Sequence, residues 1–248
     1  MKIALIAAGQ PRFTSDFITF MHQLHGFDSA DLYFTFWNSD WASSKEEGRH
    51  KIEKILLPNY RLAKLQLVDQ PEYELPPHTL DHPPAEPENI RWQWKRKIGQ
   101  WKSIQMAFNL IDQDYDLIIK FRPDGRLYDP LDVRTIDVTT NELLCQDYGR
   151  CGFDDYRISD LFVAGTHSGI KHFVDFADHF AELVPESDPN WEYNSHGNWS
   201  CEHVLGTYMK KHNKQQVFGN FKFHINWSGR SRFTDKHYHH PISQDPTV

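Results

Sequence analysis

The fold of this chain is decided near its start, by Lys2-Ile-Ala-Leu-Ile-Ala-Ala-Gly-Gln-Pro11. Ile3–Ala8 is a short, continuously apolar run, which predicts a strand buried on both faces, as in a parallel sheet. Gly9, Gln10 and Pro11 end that strand in a loop. Apolar residues then recur at near-helical spacing as far as Leu24, which predicts a helix with Pro11 at its first position.

The following segments continue the alternation of strands and helices. We expect strands at Asp31–Trp37, Arg61–Val68 and Asp116–Phe121, and helices at Glu46–Leu57 and Asn89–Leu110. Six prolines break the rhythm between residues 69 and 89, but we expect the strand that follows them to rejoin the same sheet. Such alternation indicates an α/β fold with a mostly parallel central sheet flanked by helices.

The second half of the chain is less regular. It predicts strands at Glu142–Gln146, Asp160–Ala164 and Val217–Trp227, and helices at Ser168–Val184 and Cys201–Lys211. No internal repeat or low-complexity tract separates the two halves. We therefore expect a single domain over residues 1–248.

Composition excludes several classes of function. The 27 basic and 34 acidic residues give a net charge of −7, and no long Lys/Arg run supplies the footprint of a nucleic-acid-binding protein. No apolar segment approaches the ~20 residues that span a bilayer, and Ile3–Ala8 is shorter than the core of a signal peptide. The three cysteines lack zinc-ligand spacing and fit a reducing compartment. We expect a cytoplasmic protein without a nucleic-acid partner or a membrane span.

The stretch Tyr115–Arg126 places charged side chains directly after a predicted buried strand. Arg122, Asp124 and Arg126 would lie at the carboxyl end of that strand, where open α/β sheets bind ligands. A carboxylate followed by glycine, as at Asp124, can approach a divalent cation that neutralises a diphosphate, and the arginines could bind the same phosphates. The alternative is a surface Pro-Asp-Gly turn whose aspartate only stabilises the backbone.

Several short motifs, in order along the chain, resemble those of GT-A fold nucleotide-sugar glycosyltransferases, in particular small bacterial and phage enzymes. The matching segments are Arg96 with Gln100 and Ser103, Arg122-Pro-Asp124, Asp160-Leu-Phe-Val-Ala-Gly165, and Glu202-His-Val-Leu205. Arg122-Pro-Asp124 looks like a variant of the Asp-x-Asp motif with which that family holds its metal. Here arginine replaces the first carboxylate, so a metal would depend on Asp124 and on help from elsewhere.

The resemblance implies a Rossmann-like, nucleotide-binding half over residues 1–126 and an acceptor-binding, metal-completing half over residues 127–248. It implies Mn²⁺ or Mg²⁺ as the cofactor, with Asp124 and His224 as ligands, although the cluster His237–His240 competes with His224. The catalytic candidates are Asp160 and Glu202. An acidic residue in the first turn of a helix, as at Glu202, also stabilises the helix dipole whatever the function.

Nucleotide contacts are expected at the ends of the first two strands and on the charged side chains near them. In a GT-A fold these two loops lie beside the uracil and the ribose. The candidates are Ala8, Gly9, Gln10, Arg12, Asn38, Asp40, Arg96, Gln100 and Arg122. Ordinary surface or turn-forming roles are equally compatible with Arg12, Asn38 and Asp40.

The expected function is metal-dependent transfer of a hexose, with glucose as the expected sugar, from a UDP-sugar to a saccharide acceptor that the sequence does not identify. One alternative is a metal-dependent phosphohydrolase built on Asp124 and histidines, for which dense Asp/His pairs are lacking. Another is a non-catalytic carbohydrate-binding protein that stacks sugars on Trp191, Trp199 and Trp227.

Overall fold

The structure is a computed structural model of the whole chain. It describes residues 1–13, 15–38, 41–70, 72–73, 87–139, 142–146, 161–183, 201–212, 215–219 and 223–225. Within these ranges only the backbone is described for residues 87–94, 146, 181, 201–203, 215–219 and 223–225.

Helices and strands alternate along the described chain. In order they are β1 (Lys2–Gly9), α1 (Ser15–Gln23), β2 (Leu24–His25), β3 (Ser29–Trp37), α2 (Lys45–Glu53), β4 (Tyr60–Val68), α3 (Pro87–Phe108), β5 (Leu117–Lys120), β6 (Gly125–Leu127), β7 (Leu131–Asp132), β8 (Glu142–Gln146), β9 (Val163–Gly165), α4 (His167–Leu183), α5 (Cys201–Lys211), β10 (Gln215–Gly219) and β11 (Phe223–Ile225).

Seven of these strands form the central sheet, in the order β10-β8-β9-β5-β1-β3-β4. β9 runs antiparallel to both of its neighbours, and every other pair is parallel. The predicted α/β class, with a mostly parallel central sheet flanked by helices, is confirmed. The strand that follows the proline-rich segment does rejoin the first three, because β5 pairs with β1.

Helices bury both faces of the sheet. Ile3, Leu5 and Ala7 of β1 share one apolar cluster with Phe17 and Phe20 of α1. Ala4 and Ile6, which alternate with them, share the other cluster with α3 and α4. Because alternate side chains of a strand point to opposite faces, α1 and α3 cover opposite sides of the sheet. This explains why the sequence of β1 is apolar without alternation.

The start of α1 and the end of α2 differ from the prediction. α1 begins at Ser15, so Pro11 lies in the preceding loop and not at the first helical position. The aromatic spacing was misleading because Phe13 packs from the loop, with its ring centroid 5.1 Å from Phe17 and 5.3 Å from Phe36. α2 ends at Glu53 instead of Leu57. After Glu53 the amides of Ile55 and Leu56 donate to carbonyl oxygens three residues back, at 3.0 and 3.4 Å, so the chain leaves the α-helical pattern. Pro58 then disfavours helical backbone at Leu57.

The predicted strand over residues 217–227 is two strands. β10 pairs with β8 in the central sheet, whereas β11 pairs antiparallel with β6 in a separate two-stranded ribbon. Alternation of apolar residues carries no information about the partner strand, so it merged the two. Strand β6, which follows the Arg122–Asp124 turn, was not predicted at all.

Candidate functional site at the carboxyl ends of β1 and β5

β1 and β5 meet where the strand order of the sheet reverses. The chain places β3 and β4 on one side of β1 and returns after α3 to place β5 on the other side. The register pairs Ile3 with Leu117 and Ile6 with Lys120, so the two strands end close together. Open α/β sheets bind ligands beyond the carboxyl ends of strands at such a reversal. The loops that leave β1 and β5 are therefore the candidate site.

A glycine turns the chain at the end of β1. Gly9 has a φ of +97°, a left-handed conformation that residues with a β-carbon rarely adopt. A β-carbon there would meet Ser103 Oγ of α3 at 3.9 Å, so the backbone angle and not lack of space requires glycine. Ser103 is buried and donates a hydrogen bond to the carbonyl oxygen of Gln100 at 2.7 Å. Its small side chain brings α3 beside the loop that leaves β1.

A tight turn follows β5. The amide of Gly125 donates to the carbonyl oxygen of Arg122 at 3.1 Å, which closes a four-residue turn with proline at the second position. The turn places two side chains against each other. Arg122 Nε and Nη2 donate to Asp124 Oδ1 and Oδ2 at 3.0 and 2.8 Å. The Pro-Asp-Gly turn read from the sequence is present, and its aspartate binds a guanidinium group.

A second arginine reaches the same carboxylate from the β1 loop. Arg12 Nη1 lies 3.6 Å from Asp124 Oδ2, and the Arg12 guanidinium also donates to the side-chain oxygen of Gln10. The Asp124 side chain is only 7% exposed, whereas those of Arg12 and Arg122 are 36% and 22% exposed. The buried carboxylate thus holds two guanidinium groups that solvent can reach, one from each loop.

Further arginines surround this pair. Partial burial and, second, the positive charge of Arg122 lower the pKa of Arg96 on α3, which places this guanidinium within electrostatic reach of the site. Arg126 Nε lies 3.7 Å from Oδ1 of Asp16, a buried residue in the first turn of α1. Among the described residues of these loops and helix ends, four arginines accompany two carboxylates. The surplus of positive charge suits an anion.

Arginine at this density favours phosphate or carboxylate ligands. A guanidinium group presents five N–H donors in a planar fork that matches the oxygens of a phosphate. It stays charged throughout the physiological pH range. The site can therefore bind and neutralise a phosphorylated ligand at the point where the strand order reverses.

The described residues do not form a metal centre. No group of three or more His, Cys, Asp or Glu side chains in the described part of the chain is arranged to hold a metal ion. At Asp124, the ligand expected for Mn²⁺ or Mg²⁺, both oxygens accept hydrogen bonds from Arg122. A hard cation prefers several oxygen ligands, and this donor set offers one carboxylate that arginine already engages. The donor set that is described does not fit a divalent cation.

Asn38 and Ala8 lie at the same edge of the sheet. Ala8 is half-buried and pairs with Thr35 of β3, and Asn38 follows the end of β3. The Asn38 amide nitrogen Nδ2 donates to Asp69 Oδ1 at 2.6 Å, which ties this side chain toward the end of β4. Asp40, the other candidate in this loop, lies outside the described residues.

The chain enters β9 at this edge as well. β9 runs antiparallel to β5, and its first residue, Val163, lies opposite Lys120, the last residue of β5. β8 runs parallel to β5 and ends at Gln146, so it too ends at this edge. The catalytic candidate Asp160 precedes this entry point by three residues and lies outside the described residues.

For Glu202 and His224 the backbone alone is described. Glu202 is the second residue of α5. His224 pairs with Arg126, and its neighbour Ile225 pairs with Gly125, so β11 lies beside the strand that follows Asp124. The sequence placed His224 on a late strand without indicating this partner. The roles predicted for Glu202 and His224 stay predictions.

Sequence reasoning missed two features of the site. The first is the contact between Arg12 and Asp124, which no local motif encodes. The second is the pair of Arg126 with Asp16. Asp16 is an acidic residue in the first turn of α1, and its position there was a signal that the sequence offered. Lys120 was also visible as a charge within an apolar strand, and it is 2% exposed.

Comparisons with known proteins found similarity only among solved structures. No protein-family model and no curated protein matches the chain. An active-site mutant of LgtC superimposes with a TM-score of 0.45 and 14% identity, over 89% of this chain and 73% of LgtC. The galactosyltransferase LgtC in complex with donor and acceptor sugar analogues gives a TM-score of 0.44 and 13% identity over the same shares of the two chains.

None of the described helices is long and apolar enough to cross a membrane.

Proposed function

We propose that the protein is a glycosyltransferase that binds a UDP-sugar, with UDP-glucose as the expected donor, and transfers the hexose to a saccharide acceptor. One observation carries the proposal: Arg12 from the β1 loop and Arg122 from the β5 turn meet on buried Asp124 where the strand order reverses. Open α/β sheets bind nucleotides beyond the carboxyl ends of their strands, and a diphosphate is an anion that arginines at this position can bind.

The arginines would serve both binding and chemistry. When the bond between the anomeric carbon and the diphosphate breaks, negative charge accumulates on the departing diphosphate. Guanidinium groups fixed nearby lower the barrier, because their charge is already oriented before the reaction begins. Arg12 and Arg122 would bind the diphosphate, and Arg96 would add positive potential from α3.

The nucleoside would lie over the ends of β1 and β3. The backbone of Ala8 and Gly9 is at the end of a central strand, and backbone groups at this place can pair with the polar edge of a base. Gln10 is exposed in the same loop. Asn38 would approach the ribose, with Asp40 as the further candidate from the same loop.

Transfer to the acceptor needs a base, a role that the carboxylate of an Asp or Glu side chain can fill. The acceptor hydroxyl oxygen forms the new bond to the anomeric carbon, and its proton must pass to a base. Asp160 and Glu202 are the proposed candidates for this role or for stabilising an electron-deficient sugar ring. The entry of β9 at the edge where Arg122 lies supports Asp160 as a candidate.

The requirement for Mn²⁺ or Mg²⁺ remains a prediction from the resemblance. Asp124 and His224 would be the ligands, and a cation on Asp124 would lie beside the hydrogen bonds that its oxygens accept from Arg122.

The decisive experiment is a UDP-release screen over donor sugars, each assayed with Mn²⁺ and with EDTA. We expect one UDP-sugar to release UDP faster than the others, and R122Q to reduce its kcat/KM by at least about 100-fold. A matched control is R134Q, because Arg134 forms a similar pair with Asp132 but its side chain is 68% exposed and belongs to another part of the fold. Turnover of no donor, with hydrolysis of a simple phosphate ester, would favour the phosphohydrolase. Saccharide binding without any nucleotide binding would favour a carbohydrate-binding protein.

A further inference from the structure

We propose that Arg12 and Arg122 themselves hold the diphosphate of the donor, and that Asp124 is a positioning residue for the two guanidinium groups instead of a metal ligand. The inference rests on the proposed function and extends it. It predicts that UDP binds without a divalent cation, against the metal site expected from the resemblance.

Arginine side chains already engage the carboxylate of Asp124. Both of its oxygens accept hydrogen bonds from Arg122, and Arg12 Nη1 lies 3.6 Å from Oδ2. Bidentate, charge-assisted hydrogen bonds between arginine and a carboxylate are among the strongest hydrogen bonds in proteins. Arg122 occupies one lone pair of each oxygen, so a cation could reach the carboxylate only beside at least one guanidinium group.

A cation bound to Asp124 would lie close to two guanidinium groups. A divalent ion bound to Asp124 Oδ2 at about 2.1 Å could lie no farther than about 5 Å from Arg122 Nη2, since that nitrogen is 2.8 Å from the same oxygen. By the same geometry it would lie within about 6 Å of Arg12 Nη1. Two guanidinium groups at such distances repel a dication that binds the carboxylate they already share.

Positive side chains outnumber negative ones around Asp124. Three arginines, Arg12, Arg96 and Arg122, accompany one carboxylate, Asp124, so this part of the site carries a surplus of two positive charges among its described side chains. The diphosphate of a nucleotide sugar carries one negative charge on each phosphate. The arginines alone can therefore neutralise the ligand, which is the task that a metal would otherwise perform.

The shape of the guanidinium group allows each arginine to bind Asp124 and a phosphate together. A guanidinium group has donors on more than one edge, so an arginine that grips a carboxylate along one edge can bind a phosphate along another. Contact with buried Asp124 restricts both guanidinium groups before the ligand arrives. That restriction reduces the ordering cost of binding, which is the value of a positioning carboxylate.

The test is calorimetric titration of the intact protein with UDP, in EDTA and then in Mn²⁺, with inorganic pyrophosphate as a second probe. We expect the Kd for UDP to differ by less than about threefold between the two conditions. R12Q and R122Q should each weaken binding in EDTA by about 10- to 100-fold, the usual cost of losing a hydrogen bond to a charged group. R134Q should leave the Kd unchanged.

A double-mutant cycle tests the role of Asp124. If Asp124 acts through the arginines, then D124N should weaken UDP binding in EDTA in the wild-type background and have a smaller effect in R122Q, where only Arg12 is left for Asp124 to position. The double variant D124N/R122Q also removes a buried charge together with its partner, so it should fold where R122Q alone proves unstable. Equal effects of D124N in both backgrounds would contradict the positioning role.

The outcomes separate the inference from the proposed function. UDP binding that requires Mn²⁺ and is lost in D124N would overturn the inference and leave the glycosyltransferase proposal standing. Pyrophosphate binding that needs Arg12 and Arg122, with no gain from the nucleoside of UDP, would support the arginine site and count against a nucleotide donor. Failure of both probes to bind would overturn both.

Discussion

The guanidinium group of Arg12 lies 3.6 Å from the carboxylate of Asp124, and this contact joins two loops that are far apart in the chain. Arg122 binds the same carboxylate from within the second loop. One buried acidic side chain therefore couples the end of β1 to the end of β5.

D124A should destabilise the protein. It leaves two arginines without their shared acceptor, but both guanidinium groups are partly exposed and can be hydrated, so the loss should be about 1–3 kcal/mol in the free energy of unfolding. Urea denaturation of wild type, D124A and D124N measures it. D132N, at an aspartate that pairs with Arg134, is the control and should cost less, since Arg134 is 68% exposed. Equal losses in D124A and D132N would contradict the coupling.

UDP should raise the melting temperature. A ligand at about 100 times its Kd stabilises the native state by about 2.7 kcal/mol, which for a chain of this size corresponds to a shift of about 5–10 °C. Thermal denaturation with UDP, uridine and pyrophosphate separates the phosphate from the nucleoside contribution. Because the arginines would bind the phosphates, uridine should shift the transition much less than UDP. A shift by uridine as large as that by UDP would count against a phosphate site.

G9A should disturb the loop that carries Arg12. A side chain at φ +97° adopts a strained left-handed conformation, which costs about 1–2 kcal/mol. The free energy of unfolding should fall by this amount, and the Kd for UDP should rise as the loop shifts. G9N is the matched variant, because asparagine tolerates left-handed backbone better than other residues with a β-carbon, and it should lose less. The idea fails if G9A and wild type are equally stable in urea.

Asp31 should make stability depend on acid pH. It lies at the opposite end of β3 from the candidate site, where it pairs with Arg61 across the strands and accepts hydrogen bonds from Arg61 at 2.8 Å and from Tyr115 at 2.6 Å. Burial acts to raise the pKa of Asp31, but the hydrogen bonds from Arg61 and Tyr115 outweigh it, and the net pKa is lowered. A lowered pKa means that the stabilisation is present above the unfolded value of about 3.9 and is lost as pH falls through the folded value.

D31N should therefore be less stable than wild type at pH 7, and the difference should shrink below about pH 4 as the carboxylate of the wild type is protonated. Urea denaturation across this pH range measures it. D129N alters an exposed aspartate and is the control. If the difference between wild type and D31N were constant from pH 7 to pH 3, the ionised form of Asp31 would not be the source of the stabilisation.

Local pattern was sufficient to predict most of the fold. β1, β8 and α5 were predicted to within one residue, because a continuous apolar run and an amphipathic stretch each reflect burial of the segment itself. The start of α1 was not predictable in this way. Phe13 has helical spacing from Phe17, but it gains its burial from the loop by packing against Phe36 on β3, a contact between distant segments.

The candidate site was predictable only in its parts. The position of Asp124 and Arg122 follows from a buried strand that runs into a turn, and the position of Gly9 follows from the end of β1. That Arg12 and Arg122 share one carboxylate depends on the pairing of β1 with β5, which no local pattern reveals. Asp124, the residue predicted to bind a metal, has arginines as its partners in the structure, and the metal role stays a prediction.

The reversed direction of β9 has a consequence for how this protein could diversify. Since β8 ends and β9 begins at the edge where Arg122 lies, the chain both leaves the sheet and returns to it beside the candidate site. An insertion between Gln146 and Val163 would therefore begin and end at the edge of the candidate site and would leave the pairing of β8 with β9 unchanged. Variation in the length of this connection would thus act at the site and not on the pairing of the sheet.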